Sequence, residues 1–232
     1  MTLKDKIIQV SYELFATKGY ERTTISDIVK ASESSKGGFY HHFNSKEDII
    51  DTLLDNCMKD LQFHYNNLFD RYNNDTIKVF NGVFEAITIY KSEKIKRWPE
   101  FMNMFCFEGN SLITMRMAHA LHKMTEAFYF ELIVKGNHKR LWSIDTPSNI
   151  AGLWTRELMR IYAEISALLN DYNESNFNKF VSLLEFDEEL INRLLSTDQL
   201  TVKDEAINYF ESEKSDMNNM NFNRYKTLDK IV

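Results

Sequence analysis

Apolar residues along this chain recur at spacings of three and four rather than two, and breakers are few, with seven Gly and two Pro in 232 positions. That periodicity predicts an all-α fold. The first helix is expected from Leu3 to Lys18, with Thr2 as N-cap, Asp5 closing a capping box, Ile7, Ile8, Leu14 and Phe15 as the apolar stripe, and Gly19 as the stop. Thr24-Ile25-Ser26-Asp27 repeats the capping signature and opens a short second helix that ends near Ala31. After the turn Ser32-Glu33-Ser34, a third short helix covers Ser35 to about Phe43, and Ser45-Lys46-Glu47-Asp48 caps a long fourth.

Further along, the helices lengthen. Asn73-Asn74-Asp75 opens one that carries Val79, Phe80, Val83, Phe84 and Ile87; the charged stretch from Lys91 to Arg97 predicts a break, and Trp98-Pro99 a restart. Another helix is expected from about Asn110 to Lys135, one from Thr146-Pro147 to about Asn170, and its partner from Ser175 to about Ser196. Thr201-Val202-Lys203-Asp204 opens a last, short helix, and the polar, Asn-rich composition from about residue 212 predicts partial disorder.

Three short helices within the first 45 residues, the third preceded by a tight turn, outline a helix-turn-helix. In that geometry the third helix enters the major groove, so its first residues must be small, polar or aromatic. Ser35, Lys36, Gly37, Gly38, Tyr40, His41 and His42 meet that requirement, while Phe39 and Phe43 belong to the core. Two glycines in one short helix cost about 1 kcal/mol each in propensity, and close approach of the backbone to a groove is one reason to carry them. The expected organisation is a DNA-binding domain over residues 1–48, whose fourth helix leads from 46 into a helical effector-binding and dimerisation domain over 49–232.

Charge distribution is compatible with that division. The net charge of −6 argues against a nonspecific nucleic-acid coat, yet residues 1–50 hold seven Lys/Arg and seven Asp/Glu, so the acidity lies in the body. No apolar run is long enough to span a membrane and the first residues lack a secretion-signal core, from which a cytoplasmic protein is expected. Cys57 and Cys106 sit in helical patterns with no ligand spacing, so neither a disulfide framework nor structural zinc is expected, and no cofactor.

The in-register run of Gly19-Tyr20, Thr23-Thr24, Asp27-Ile28-Val29, Ser35-Lys36-Gly37, Phe39-Tyr40-His41-His42-Phe43 and Ser45-Lys46-Glu47-Asp48 resembles the N-terminal domain of the TetR family over residues 3–60. The resemblance implies a homodimeric repressor that binds a palindromic operator and releases it when a small molecule enters the C-terminal domain. It also implies phosphate contacts from Thr24, Ser34, Ser35, Tyr40, His42 and Lys46, and base reading by Lys36 and Gly37. Gly38 and His41 depart from the multidrug-sensing members that the turn matches, and Glu33-Ser34 stands where many members place Gly-Val.

In the body, the last two long helices carry more apolar surface than one core face needs. Leu153, Ile161 and Ile165 on one and Leu184, Ile191 and Leu194 on the other are therefore expected at a two-fold dimer seam. The middle segment is rich in aromatics and Met, which line adaptable pockets, and Trp98, Phe101, Met102, Phe105, Glu108, Met115, His119 and His122 are the expected effector site. Carboxylates beside aromatic faces favour a hydrophobic cation. A rival reading is a metal-dependent helical enzyme built on His119, His122 and Glu126, which lie along one helical face.

Overall fold

A computed structural model describes residues 1–97, 104 and 109–219. Ten helices are present among them and no strand: α1 (Leu3–Thr17), α2 (Ile25–Ala31), α3 (Lys36–His42), α4 (Lys46–Arg71), α5 (Thr76–Asn81), α6 (Val83–Arg97), α7 (Ser111–His138), α8 (Pro147–Asn170), α9 (Glu174–Leu195) and α10 (Val202–Asn219). Two compact units partition them. The first comprises Met1–Asp60 with Ser92–Ala120, and the second Leu61–Lys91 with Leu121 onward. No helix among the described residues is long and apolar enough to cross a membrane.

In the first unit α1 packs on both α2 and α3. Ile7, Phe15, Ile28 and Phe39 are wholly excluded from solvent, and Phe43 and Ile49 extend the same core. Both expected capping boxes are formed, Thr2 with Asp5 and Thr24 with Asp27. Ile8 and Leu14 are only half-buried, and Ser11, Tyr12 and Ala16 take their places against the core.

Between α2 and α3 the chain ends one helix with two bonds that satisfy its last carbonyls. Ser34 N–H donates to the Val29 carbonyl at 3.0 Å and Glu33 N–H to that of Lys30 at 3.2 Å. Glu33 sits at φ 53° in this Schellman turn, a left-handed position that favours glycine. Its carboxylate pairs with Lys6 on α1 at 2.6 Å.

In the second unit α8, α9 and α10 pack against one another. Here the expected dimer seam is corrected. Ile161, Ile165, Leu184 and Ile191 are buried within the unit's own core, so their side chains have no surface to offer a partner. The reason is α10, which runs to Asn219 rather than ending early and brings Ala206, Tyr209 and Phe210 into that core, with the Phe210 ring 5.7 Å from that of Phe177. The described part of the segment expected to be disordered, up to Asn219, is therefore helical.

Two other helix limits differ from expectation. A helix meant to run unbroken past Val83 is interrupted at Gly82, where an added Cβ would lie 2.8 Å from the Tyr72 ring. The charged stretch from Lys91 does not break α6, because long-range partners take up its charge: Lys91 bonds Tyr209 and Glu213 in the second unit, and Lys94 pairs with Asp60 in the first. Trp98-Pro99 lies outside the described residues.

Candidate nucleic-acid interface

Along α3, Ser35, Lys36, Gly37, Tyr40 and His41 are exposed, and Phe39 on the opposite side is fully buried. Tyr40 keeps 52% of its surface exposed while its ring edge meets that of Phe39 at 5.3 Å. Ser35 caps the helix through its hydroxyl, which accepts from Gly38 N–H at 3.0 Å. The His41 and His42 rings lie 4.9 Å apart, His42 being half-buried.

The two glycines of α3 have different surroundings. A Cβ on Gly38 would lie 3.3 Å from both Leu3 Cδ2 and Ser35 Oγ, a tight fit that either side chain would have to yield to. At Gly37 the nearest atom would be Ser35 Oγ at 3.8 Å, so nothing in the chain itself requires glycine. Only Gly37 leaves the open surface expected of a groove-facing backbone.

Thr24 is exposed at the start of α2, with its hydroxyl engaged by Asp27 at 2.8 Å. Lys18 and the capping bonds from Thr24 hold the Asp27 carboxyl well below its ordinary range. Ser34 is half-buried, its hydroxyl 2.9 Å from that of Ser32. Lys46 is half-buried and makes contacts within the chain. Its Nζ donates to the carbonyls of Tyr20 at 2.8 Å and Thr23 at 2.6 Å and stands 4.2 Å from the Tyr20 ring centroid. Burial lowers its pKa. The Tyr20 hydroxyl donates to Glu47 at 2.5 Å, so the start of α4 clamps the loop that leads into α2.

Of the residues expected to bind an effector, Trp98, Phe101, Met102, Phe105 and Glu108 lie outside the described residues. Met115 and His119 share a cleft of about 480 Å³ in the first unit with Asp51, Leu54, Asp55, Arg116 and Ala120. Arg116 pairs with Asp51 at 2.5 Å, and the exposed Asp55 has no ion-pair partner among the described residues. His122 belongs to the second unit and approaches Glu126 at 3.7 Å. Among the described residues no three His, Cys, Asp or Glu side chains converge as a metal site.

Sequence reasoning missed Asn110, whose side chain is fully buried and bonded to α1 and Tyr20. The sequence placed it only at the start of an expected helix.

Residues 7–53 match the profile of bacterial regulatory proteins of the tetR family. The chain is 31% identical over 139 residues to the biofilm operon icaADBC HTH-type negative transcriptional regulator IcaR of Staphylococcus aureus (strain Newman), covering 57% of this chain and 73% of that one. The chain belongs to the TetR family. This TetR-family chain is also 26% identical over 200 residues to the HTH-type transcriptional regulator QacR of S. aureus (strain Mu50), covering 84% of it and 99% of QacR. Its fold resembles that of a TetR-family regulator from Syntrophomonas wolfei, with a TM-score of 0.56 at 22% identity, over 82% of this chain and 94% of the other. As a TetR-family member it is a transcriptional regulator with an N-terminal helix-turn-helix domain, not an enzyme.

Proposed function

We propose that this regulator is a repressor that binds a palindromic operator as a homodimer through α3 and releases it when a hydrophobic, cationic small molecule binds. The observation that carries the DNA reading is the two-sided character of α3, with Ser35, Lys36, Gly37, Tyr40 and His41 open and Phe39 locked in the core. Lys36 and Gly37 read bases, while Ser34, Ser35, Tyr40, His42 and Thr24 contact phosphates. Repression is the sign of the similar IcaR, a negative transcriptional regulator.

For the effector, support comes from the cleft around Met115 and His119, where an apolar floor from Leu54 and Ala120 lies beside the Asp55 carboxylate. For the dimer, the partner-facing surface is rebuilt from what the core leaves free: half-buried Leu153 and Leu194, with Phe186 58% exposed on α9. Release works through spacing, since a palindrome accepts recognition helices only at about 34–36 Å or a multiple of it.

The test is selection of bound duplexes from random DNA, followed by mobility-shift titration of Lys36→Ala. Loss of about 1–3 kcal/mol, with relaxed preference at one base pair per half-site, is expected for a lost base contact. Unchanged affinity and sequence preference in that variant would remove α3 as the reading element.

A further inference from the structure

Asn110 stands immediately before Ser111, the first residue of α7, and its carbonyl accepts from Thr114 N–H at 3.0 Å as the helix begins. An asparagine in that position ordinarily turns its side chain back onto an N–H of its own first turn. This one points inward and is fully buried. Oδ1 accepts from Tyr20 N–H at 2.6 Å, and Nδ2 donates to the carbonyls of Phe15 at 2.9 Å and Met104 at 2.8 Å. Both amide hydrogens are thereby used, and the capping bond to α7 is forgone for bonds to residues 90 and 95 positions away.

The chain ends that these bonds join are ones the local structure leaves open. Phe15 contributes one of the last four carbonyls of α1, which have no partner within the helix. Tyr20 follows Gly19, whose φ of 87° turns the chain out of α1. Beside Asn110, Gly109 lies at φ 96°, and its carbonyl accepts from Glu21 N–H at 3.3 Å. Residues 109–110 are thus bonded to one side of the loop between α1 and α2, while Lys46 and Glu47 hold Tyr20 from the other. Thr24, which caps α2, comes four residues after Tyr20.

We propose that Asn110 is a positioning residue for DNA reading: by fixing the loop from Gly19 to Thr23 it sets the orientation of α2 and α3. The inference rests on α3 being the reading element. It needs no DNA contact from Asn110 itself. Base reading demands a set orientation of α3, whereas nonspecific binding rests on charge attraction to the phosphates that needs no single register, so the two kinds of binding respond differently when the latch is cut.

The experiment uses the full chain with Asn110→Ala and the milder Asn110→Ser. Each is titrated against the duplex that the unmodified protein selects from random DNA and against an unrelated duplex of equal length. Circular dichroism sets the folded fraction, so that a variant losing stability is still scored per folded molecule. The expected result is a loss of about tenfold or more on the selected duplex, less than twofold on the unrelated one, and a broader range of accepted half-site spacers on reselection. Variants that keep the original ratio of the two affinities, or lose both in parallel, would reduce Asn110 to a structural residue and overturn the proposal. Failure of the unmodified protein to select any sequence would instead overturn the DNA-reading assignment, and this inference with it.

Discussion

Replacing Lys46 with methionine separates two roles that one side chain could hold. Methionine keeps most of the aliphatic stem and removes the ammonium, so the carbonyls of Tyr20 and Thr23 lose donors at 2.8 and 2.6 Å and the Tyr20 ring loses its cation. Hydrogen bonds that involve a charged group are worth about 1.5–3 kcal/mol each, and a cation–π contact at a partly exposed site about 0.5–1 kcal/mol. Burial opposes the charge, as the lowered pKa of Lys46 records, so part of that gain is already offset and the net loss should be about 2 kcal/mol. With a urea slope of about 1–3 kcal/mol per molar, the midpoint of unfolding by far-UV circular dichroism should fall by roughly 1 M. DNA binding should weaken more on the selected duplex than on an unrelated one, because the loop before α2 is no longer held. If the variant unfolds at the original urea concentration while the salt dependence of DNA binding drops by about one phosphate's worth, Lys46 is a simple phosphate ligand and the clamp reasoning is wrong.

Other outcomes follow from single sites. Both carboxylate oxygens of buried Asp187 lie at 2.6 and 2.7 Å from the Arg160 guanidinium, yet burial outweighs that partner and pushes its pKa up to about 6. A raised carboxyl contributes stability that is present below its ordinary value of 3.8 and lost as pH rises through about 6, so thermal stability should decline across that window and Asp187→Asn should flatten the decline. Gly136→Ala would place a Cβ 2.0 Å from the Trp142 ring, whose Nε1 donates to the Ile133 carbonyl, and should lower stability by about 1–3 kcal/mol in thermal unfolding. Gly37→Ala meets nothing closer than 3.8 Å and should raise stability by up to about 1 kcal/mol in thermal unfolding while reducing affinity in a mobility-shift assay. Phe186→Glu should shift light scattering toward monomer with the fold intact, whereas Leu184→Glu should unfold the chain; a dimer surviving Phe186→Glu would place the two-fold face elsewhere.

Local chemistry was readable because its partners lie within four residues of one another. Thr2 with Asp5, Thr24 with Asp27 and the cap at Ser35 each close within one helical turn, so the helix-turn-helix and the exposed face of α3 could be placed from composition and spacing alone. What tertiary structure decided are the pairings across long stretches of chain. Periodicity identified Ile161, Ile165, Leu184 and Ile191 as apolar-face residues but could not say what would cover that face, and α10 covers it from within the chain. The same limit hid Lys91 with Glu213, which keeps a charged run helical, and Gly38, where an added Cβ would lie 3.3 Å from Leu3. Asn110 shows the boundary most clearly: its place before a helix is local information, but the atoms its amide meets lie 90 and 95 residues earlier, and only folding brings an unpaired carbonyl and N–H of that loop within its reach.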